Sequence, residues 1–509
     1  MQPVITAAEA RALDAAAMTE LGLPGAVLME TAGRGVAAAV VDELAGRRGP
    51  VVVVCGGGGN GGDGYVVARA LAGAGVEVAV VAVVAGDALT GDARLYRDAY
   101  LAAGGAVHEA TDGAGVSALR ALLTRAAIVV DAIFGVGLTR PVAGHLADAI
   151  AAINAAPGRR IAIDVPSGLH ADTGATLGCA VAADRTVTMA LPKLGLVGAP
   201  GCATAGRVTA VDIGIAPRLI AALAPRAAIV EATDVVAALP RHGALVHKHR
   251  RGHVLVVAGS PGKRGAGRLA AMAALRAGAG LVTLAGPAEA SGELTAPDPI
   301  MTAVVTDGGE LAALVRDKAA IAIGPGLPED DAGARWVAAA IAAGRPCVVD
   351  ATGLAHAAAH PHLLDGATAP VVITPHPGEA ARLLGLTTAA VEADRPAAVR
   401  ALAQRRRVVA VLKGARTLVC DGRDPRAMIY VVPTGGPALA TAGTGDVLAG
   451  AIAALLAQGL DAATAAWAAA YLHGAAGDAL AARYGLGVIA SDLPVALAEV
   501  AAALVTPAA

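Results

Sequence analysis

An aspartate follows a glycine-rich turn at the start of an apolar segment, in the stretch PALATAGTGDVLAGAIAALLAQG from Pro437 to Gly459. The backbone amides of Ala442 to Gly445 would point from the amino terminus of a helix toward a bound anion and stabilise its charge. Asp446 would then be placed to accept the proton of a substrate hydroxyl. Phosphoryl transfer to an alcohol requires this combination of donors and base. The alternative is an ordinary N-capping aspartate without a ligand.

Two other segments of the second half end in residues suited to the same chemistry. Lys413 and Gly414 follow a strand-like run in VLKGARTLVCDG and could contact a nucleotide phosphate, although a lone lysine there is often only solvated. His376 and Glu379 lie in ITPHPGEAARLLG, where two prolines stiffen the chain. His376 could bind substrate or be a loop histidine satisfied locally. The chain has no GxxxxGK[ST] motif and no HRD/DFG set, which excludes P-loop enzymes and protein kinases.

The first half has its own glycine-rich turn, GGGGNGGDG from Gly56 to Gly64, between a strand-like run and a helical segment. Its amides can form an anion-binding nest at a helix start. The string satisfies GxGxxG, which is a weak signal alone. Asp63 also argues against ordinary dinucleotide binding, because it would place a carboxylate where the pyrophosphate lies. A tight turn without a ligand is the alternative.

Two further strands of the first half end in aspartates, Asp131 in VVDAIFGVGLTRP and Asp164 in IAIDVPSGL. Ligands of open parallel sheets bind beyond the carboxyl ends of the strands, so we expect these corners to meet at one edge. Asn60, Asp131 and the Ser167 hydroxyl are hard oxygen donors suited to an alkali or alkaline-earth cation. Taken singly, each aspartate could equally cap a helix or tether a loop.

These residues must be positioned by alternating strands and helices. Short Val/Ile runs alternate with Ala-rich helical segments, which predicts an α/β fold with parallel sheets covered on both faces. The first series is GPVVVVCGGG, VEVAVVAVVAG, AAIVVDAIFG and RRIAIDVPSG. The second is GHVLVVAGS, GAGLVTLAG, AAIAIGPGL, RPCVVDATG, APVVITPHPGE and RVVAVLKGA. Two α/β units in tandem are expected, joined near residues 216–230. At the amino terminus, Thr6 and Glu9 have the spacing of a helix capping box.

Length, charge and cysteine content indicate which classes of protein the chain can belong to. The 509 residues allow two sizeable domains. The 40 basic and 42 acidic residues are interspersed, which gives no electrostatic footprint for nucleic acid or for an anionic membrane. Long apolar stretches are interrupted by Gly, Pro or charge, so no transmembrane helix is predicted. Five scattered cysteines without CxxC spacing favour a reducing, cytoplasmic setting over disulfides or zinc.

In the first half, GGGGNGGDGYVVARAL, DAIFGVGLTRPVAG and IDVPSGLHADTG resemble the signature segments of the YjeF amino-terminal family, the NAD(P)H-hydrate epimerases. The resemblance implies a Rossmann-like three-layer domain over residues 1–220. It also implies the activity, which is interconversion of the R and S epimers of hydrated NADH and NADPH. These hydrates, NADHX and NADPHX, are the implied small-molecule partners.

The resemblance assigns roles to residues of this domain. Asp164 is the expected acid/base, since proton transfer at a hydrated ring needs a positioned carboxylate. Asn60, Asp131 and Ser167 are the expected ligands of a K⁺ ion. The family usually has two asparagines in the first loop, and Gly59 replaces the first of them here, which removes one side-chain contact. The expected substrate-binding residues are Gly59, Asn60, Gly61, Gly62, Asp63, Gly135, Val136, Gly137, Leu138, Thr139, Arg140, Pro141 and Asp164.

In the second half, GHVLVVAGS, GAGRLAAMAALRAGAGLVT, IGPGL, VVDATGL, TPHPGEAARL, KGART and AGTGDVLAG resemble, in this order, the carboxy-terminal YjeF family. These are the ADP- or ATP-dependent NAD(P)H-hydrate dehydratases, and the resemblance implies a ribokinase-like α/β domain over residues 225–509. The implied reaction phosphorylates the C6 hydroxyl of S-NAD(P)HX, and loss of phosphate then gives NAD(P)H. The expected donor is ADP, giving AMP, with Mg²⁺ bridging its phosphates. The sequence does not separate ADP from ATP.

This second resemblance also assigns residues. Asp446 is the expected catalytic base. The expected substrate-binding residues are Gly326, His376, Pro377, Gly378, Glu379 and Asp446. The expected nucleotide-binding residues are Lys413, Gly414, Ala415, Arg416 and Thr417, with Gly443, Thr444 and Gly445 at the end of a longer loop from Gly436.

Together the two resemblances predict one repair enzyme in which the epimerase supplies the dehydratase with its S epimer. One alternative is a small-molecule kinase of the ribokinase or thiamin-precursor type with a non-catalytic, nucleotide-binding or scaffolding first domain. Another is a plain NAD-dependent dehydrogenase. The presence of Asn60, Asp63, Asp131, Asp164 and Ser167 argues against an idle first domain. A homo-oligomer is expected from the resemblance alone.

Overall fold

A computed structural model describes residues 1–287 and 299–506. The chain forms two compact units. The first comprises Pro3–Ala227, and the second begins at Ala228 and also includes Met1 and Gln2. We number the strands in chain order from β1 (Gln2–Val4), which belongs to the larger of two sheets.

The N-terminal unit contains a parallel sheet of seven strands within the described residues, in the order β4-β3-β2-β5-β6-β7-β8. Strands β2 and β5 are central and wholly buried, because helices cover both faces of a parallel sheet. The strands are β2 (Val51–Cys55), β3 (Val78–Ala82), β4 (Val107–Glu109), β5 (Ile128–Ala132), β6 (Arg159–Ile163), β7 (Arg185–Met189) and β8 (Arg207–Val211).

The helices of this unit lie between these strands. The α-helices are Ala7–Glu20, Gly25–Leu44, Gly59–Gly73, Gly91–Ala102, Gly113–Leu123, His145–Ala155, Leu194–Val197, Cys202–Ala205 and Pro217–Leu223, with a 3₁₀ turn at Gly86–Ala88. The predicted capping box is confirmed, since Thr6 Oγ1 accepts from the Glu9 amide at 3.2 Å and Glu9 Oε2 accepts from the Thr6 amide at 2.7 Å.

The C-terminal unit is built on the larger sheet, in which the described residues form eleven strands ordered β1-β9-β18-β17-β16-β15-β14-β13-β10-β11-β12. From β16 to β12 every pairing is parallel. The strands are β9 (Ala227–Ile229), β10 (His253–Val257), β11 (Leu281–Gly286), β12 (Met301–Val304), β13 (Ala320–Ile323), β14 (Cys347–Val349), β15 (Val371–Ile373), β16 (Val409–Leu412), β17 (Leu418–Asp421) and β18 (Ile429–Val431).

The described helices of this unit include a long hydrophobic pair at its carboxyl end. The α-helices are Ala232–Ala238, Arg264–Arg276, Gly308–Val315, Asp331–Ala342, Thr352–Ala359, Pro377–Leu384, Thr388–Ala393, Arg395–Arg406, Thr444–Ala457, Ala462–Tyr484 and Leu493–Val505. The 3₁₀ turns are Lys248–Arg251, Pro361–Leu364, Pro437–Leu439 and Gly485–Gly487. No described helix combines the length and the apolar character needed to cross a membrane.

The predicted α/β fold is confirmed, and each of the ten apolar runs quoted above contains a strand. The prediction of fully parallel sheets is wrong at one edge, where β16, β17 and β18 pair antiparallel. Strands β4 and β12 were also missed. They are short edge strands that leave residues exposed, so their sequences lack the continuous apolar pattern of a buried strand.

Helix Thr444–Ala457 is almost entirely buried and packs closely against Arg264–Arg276. Gly450 makes this approach possible, because a Cβ atom at this position would lie 2.0 Å from the carbonyl oxygen of Ala270. Gly450 therefore serves helix packing, and its contact lies two turns from the amino terminus that carries Asp446.

Candidate active sites

Polar residues of the N-terminal unit meet at the carboxyl edge of its sheet. Strands β2, β5 and β6 are neighbours, so the segments that follow them converge, as open parallel sheets require. They line a cavity of about 1250 Å³. The predicted site residues on its wall are Gly59, Asn60, Asp63, Gly135, Val136, Gly137, Leu138, Thr139, Arg140, Pro141 and Asp164.

Gly61 and Gly62 do not line this cavity. A Cβ atom on Gly61 would lie 2.0 Å from the carbonyl oxygen of Gly56, and one on Gly62 would lie 2.6 Å from the sulfur of Met29. Both glycines therefore let the start of helix Gly59–Gly73 pack closely against its surroundings. Gly135 does face the site, since its Cβ position is 3.2 Å from Asn60 Oδ1 and 3.4 Å from Asp164 Oδ2.

Asp164 directly follows β6 and has a left-handed backbone, with φ of 63°. Its buried carboxylate forms an ion pair in which Lys193 Nζ donates to Oδ1 at 2.6 Å. Thr188 Oγ1 donates to the same oxygen at 3.0 Å. Within the described residues Oδ2 accepts no hydrogen bond and lies on the side of Gly135. One oxygen is thus held rigidly while the other is available to the cavity.

Asn60, Asp131 and Ser167 come together around the Phe134 peptide. Ser167 donates to both oxygens of Asp131, from its hydroxyl at 2.5 Å and from its amide at 2.8 Å. Asn60 Nδ2 donates to the Phe134 carbonyl at 2.9 Å, and the Phe134 amide donates to Ser167 Oγ at 2.8 Å. Burial raises the pKa of Asp131 to about 6, although the bonds from Ser167 oppose that shift.

This cluster suits a monovalent cation. Asp131 is completely buried, and in the described chain its hydrogen bonds come from Ser167 and Ile133 and from no cationic side chain. A cation would therefore offset a buried negative charge that the protein leaves unpaired. Oxygen atoms of Asn60, Asp131 and Ser167 are the hard donors that such an ion prefers.

Three more carboxyl groups, those of Asp14, Asp63 and Asp92, line the same cavity. Burial, followed by the charges of Asp164 and Asp14, raises the pKa of Asp63 well above its usual range, and Lys193 opposes the shift. The pKa of Asp14 is also raised, mainly by burial. Three acidic groups thus share one buried lysine, and the sequence reasoning had missed both Lys193 and the cavity position of Asp14. Lys193 closely follows β7, so the strand-end rule that found Asp164 could have found it.

The C-terminal unit has its own site at the carboxyl edge of β13, β14, β15 and β16, which are adjacent parallel strands. Lys413 follows β16, and its ammonium donates to Asp350 Oδ1 at 2.8 Å. Thr374 Oγ1 donates to the same oxygen at 2.7 Å, and Glu379 Oε2 lies 3.8 Å from the ammonium. The charges of Asp350 and Glu379 raise the pKa of Lys413 against the opposing effect of burial, which is the largest influence. Asp350 and Thr374 were not identified from the sequence, although Asp350 ends a strand.

Asp446 lies in the first turn of helix Thr444–Ala457, directly after Gly445. A Cβ atom on Gly445 would lie 3.2 Å from Lys413 Nζ and 3.7 Å from Asp350 Oδ2, so this helix start adjoins the lysine–aspartate pair. Burial and then the charge of Asp350 raise the pKa of Asp446 to about 7, and Lys413 opposes the shift. Asp446 does not cap the helix, because the N-cap is Gly443 with φ of 90°.

Neighbouring groups fix this helix start. Thr444 Oγ1 donates to the carbonyls of Leu439 and Thr441, at 3.0 and 3.1 Å. Burial lowers the pKa of His473 to about 4, so its ring is neutral, and Nε2 donates to the Thr444 carbonyl at 2.9 Å. The amides of the first turn are thereby held in one direction.

His376 has a local structural role. Its Nδ1 accepts from the Gly378 amide at 3.0 Å, and its own amide donates to Glu379 Oε2 at 2.8 Å, which caps helix Pro377–Leu384. The side chain is half exposed. Gly326, after β13, has φ of 61°, and a Cβ atom there would lie 2.5 Å from the Lys263 carbonyl.

The predicted nucleotide segment Lys413 to Thr417 forms a tight turn. Gly414 has φ of 131°, and Thr417 Oγ1 donates to its carbonyl at 3.1 Å. Arg416 Nη1 donates to the Pro433 carbonyl at 2.5 Å, so its head group is turned toward that loop. Ala415 lies in the same turn. Of this segment, Lys413 alone is shown in contact with the carboxylates around Asp446.

A divalent cation has no complete protein cage here. The described residues contain no group of three or more His, Cys, Asp or Glu side chains arranged to hold a metal. Mg²⁺ commonly binds through one or two carboxylates together with nucleotide phosphates and water. Asp350 and Glu379 fit that manner of binding, with the nucleotide supplying the remaining ligands.

Comparison with known proteins covers both units. A family model for the YjeF-related protein N-terminus matches residues 25–195, and one for NAD(P)H-hydrate dehydratase matches residues 254–498. The bifunctional NAD(P)H-hydrate repair enzyme Nnr of Moorella thermoacetica is 42% identical over 507 residues, covering 96% of this chain and 95% of that protein. Its counterpart in Escherichia coli K12 is 36% identical, covering 87% of this chain and 83% of that protein. A crystal structure of a ribokinase-like superfamily protein from Enterococcus faecalis, 26% identical, covers 55% of this chain and 97% of its own with a TM-score of 0.50.

Proposed function

Since the chain belongs to the family of bifunctional NAD(P)H-hydrate repair enzymes, we propose that it restores NADH and NADPH from their hydrates in two steps. The N-terminal unit is the epimerase, which interconverts R- and S-NAD(P)HX. The C-terminal unit is the nucleotide-dependent dehydratase, which acts on the S epimer. The observation that carries this proposal is the presence of a separate acidic site in each unit, at Asp164 and at Asp446.

In the epimerase, the cavity would hold the hydrated nicotinamide ring against Gly135, where a side chain would meet Asn60 and Asp164. Asp164 would exchange protons through Oδ2, while Lys193 and Thr188 hold Oδ1. Asn60, Asp131 and Ser167 would hold K⁺, which would supply positive charge beside the substrate.

In the dehydratase, Asp446 would accept the proton of the C6 hydroxyl as its oxygen attacks the terminal phosphorus of the donor. The bond from that phosphorus to the nucleotide breaks, and the amides of the helix start and Lys413 would stabilise the charge on the moving phosphoryl group. The C6–O bond then breaks with its electron pair leaving on phosphate, and loss of a C5 proton gives NAD(P)H. Asp350 and Glu379 would hold Mg²⁺, which would supply positive charge to the transferring phosphoryl group. We take ADP as the donor, which gives AMP and phosphate.

The site residues keep the roles that the resemblance assigns to them, with two qualifications from the geometry. His376 is half exposed and caps a helix, so it would contact substrate through Nε2. Gly61 and Gly62 would act through close packing of the loop and not by contact. We further propose a cytoplasmic homo-oligomer, supported by the resemblance and by five free cysteines among the described residues.

The test is recovery of NADH absorbance in the near ultraviolet from a mixed-epimer NADH-hydrate preparation with Mg²⁺ and K⁺, with ADP and ATP supplied separately. We expect recovery until both epimers are consumed, with one nucleotide spent per NADH formed. The more effective nucleotide identifies the donor. No recovery with either nucleotide would contradict the proposal and favour the alternative of a kinase that makes a stable phosphate ester.

A further inference from the structure

The epimerase cavity contains a carboxyl group to which the reaction described so far gives no chemical task. Asp63 lies in the second turn of helix Gly59–Gly73 and lines the cavity together with Asp164 and Lys193. Among the described residues its carboxyl has no hydrogen bond and no ion pair. Asp63 is partly buried, and its carboxyl lines the cavity without being engaged by the described residues, so it can act on a ligand bound there.

The two aspartates differ in their surroundings. Asp164 forms the ion pair with Lys193 at 2.6 Å and accepts from Thr188, so two fixed donors hold its carboxylate. Asp63 faces the same lysine only at longer range and also faces the negative charges of Asp164 and Asp14. The cavity thus contains one paired carboxylate, that of Asp164, and three carboxyl groups, those of Asp14, Asp63 and Asp92, without a hydrogen bond to the described residues. Of these three, Asp63 is carried by the glycine-rich loop and helix start that also supply Asn60.

The two aspartates reach the cavity from different elements of the fold. Asp63 is carried by the helix after β2, and Asp164 ends β6, with β5 between these strands. Neighbouring strands are about 4.8 Å apart, so the two strand ends are separated by about 10 Å. The segment after β5 begins at Ile133, and a Cβ atom on its Gly135 would be 3.4 Å from Asp164 Oδ2.

One route to inversion at a carbon that carries a hydroxyl is loss of water from one face of the ring and addition of water on the other, with a proton transfer on each face. We propose that Asp63 is a second catalytic residue of the epimerase, which protonates the departing hydroxyl while Asp164 deprotonates the incoming water on the opposite face. This inference rests on the proposed epimerase function. It gives the two aspartates complementary tasks, as expected when neighbouring acids have different environments.

The step balances as follows. The C6–O bond breaks and its electron pair leaves with the oxygen, which takes the proton of Asp63 and departs as water. The lone pair of the ring nitrogen forms a double bond to C6. A water molecule on the other face then bonds to C6 as its proton passes to Asp164, and the nitrogen recovers its lone pair. The product is the opposite epimer with Asp63 ionised and Asp164 protonated, and the reverse reaction exchanges their tasks.

The pH dependence of epimerisation follows because Asp63 must be protonated and Asp164 ionised when the reaction begins. Burial and the neighbouring Asp164 and Asp14 raise the pKa of Asp63, and Lys193 opposes them, so Asp63 keeps its proton above the pH at which an ordinary aspartate loses it. Asp92 and Arg140 are the other charged residues on the cavity wall. Activity should fall at alkaline pH as Asp63 ionises, because no proton is then available for the leaving group.

The test uses the full-length protein with purified S-NADHX and no nucleotide, so that the appearance of R-NADHX, measured by chromatography, reports epimerisation alone. We expect Asp63→Asn to lower kcat by about 100-fold or more while KM stays within about threefold. The residual activity should lack the alkaline decline of the wild type. Asp42→Asn, at an exposed position of helix Gly25–Leu44, is the matched control and should keep the wild-type rate and profile.

The outcomes separate this inference from the proposed function. If the wild type does not epimerise, the proposed function of the domain fails. If the wild type epimerises and Asp63→Asn keeps its kcat, or loses kcat but keeps the alkaline decline, the assignment of Asp63 is wrong. Should circular dichroism show that Asp63→Asn is unfolded, Asp63→Ala assayed with added acetic acid replaces it. Partial recovery of the rate by the acid supports a missing proton donor, and no recovery from a folded variant refutes it.

Discussion

The raised pKa of Asp446 leads to a specific prediction for the dehydratase. A general base acts in its ionised form, so the rate should rise as pH passes upward through the pKa of about 7. At pH 6 about a tenth of the molecules would carry an ionised Asp446, and at pH 8 about nine tenths. We therefore expect kcat/KM for dehydration to rise about tenfold over this interval, whereas an aspartate of ordinary pKa would give a flat profile.

The charged neighbours of Asp446 allow its assignment as the general base to be tested. Changing their charge should move the midpoint of the pH–rate profile. Removing the negative charge with Asp350→Asn should lower the pKa of Asp446 and shift the midpoint to lower pH. Removing the positive charge with Lys413→Met should raise it. A unit charge at roughly 7 Å contributes on the order of 2 kcal/mol at an effective dielectric constant of 20, which corresponds to a shift of about 1.5 pH units. The maximal rates of both variants should fall, so each pH–rate profile is divided by its own maximal rate before the midpoints are compared.

The assay is the recovery of NADH from S-NADHX at saturating Mg²⁺ and nucleotide, followed between pH 5.5 and about 9. NADH hydrate is preferred to the NADPH form, because a 2′-phosphate titrates in the same range. Asp446→Asn should reduce dehydration by about 100-fold or more and leave epimerisation unchanged. A flat wild-type profile, or midpoints that do not move in opposite directions in the two charge variants, would refute the assignment of Asp446 as the base.

Three further outcomes are expected. Asp164→Asn should abolish epimerisation and spare dehydration of pure S-NADHX, and equal loss of both activities would contradict the division of labour between the units. Lys193→Met would leave the buried Asp164 carboxylate without its ion pair, so urea unfolding should show the N-terminal unit destabilised by roughly 3–5 kcal/mol, with Lys193→Arg less affected. Gly450→Ala would place Cβ 2.0 Å from the Ala270 carbonyl and should destabilise the C-terminal unit by about 1–3 kcal/mol, whereas Gly265→Ala, with no heavy atom within 4 Å, should not lower the unfolding midpoint.

Much of the architecture could be predicted because parallel strands buried on both faces need continuous apolar runs. The runs that became β2, β5, β13 and β16 are of this kind. Edge strands such as β4 and β12 lack such a pattern, because one side of an edge strand need not be apolar. Their pairing depends on neighbours that are distant in the sequence.

The candidate sites divide in the same way. The strand-end rule identified Asp131, Asp164 and Lys413, because topology alone brings the carboxyl ends of parallel strands together. The rule does not identify the ion-pair partners of these residues. The structure shows that Lys193 pairs with Asp164 and that Asp350 pairs with Lys413. Gly450 shows the converse, since its place in a glycine-rich motif gave no sign that it serves a helix contact.

The sequence by itself thus determined the family, the α/β class and the segments that supply each site, because these depend on residue type, order and periodicity. The tertiary structure decided which aspartates are neutralised and which are not. Asp164 acquires a lysine from 29 positions along the chain, Asp63 lines the same cavity without a partner, and Asp446 starts a helix beside Asp350. The protonation of a carboxyl group depends on burial and on nearby charge, and both arise only when distant segments pack together.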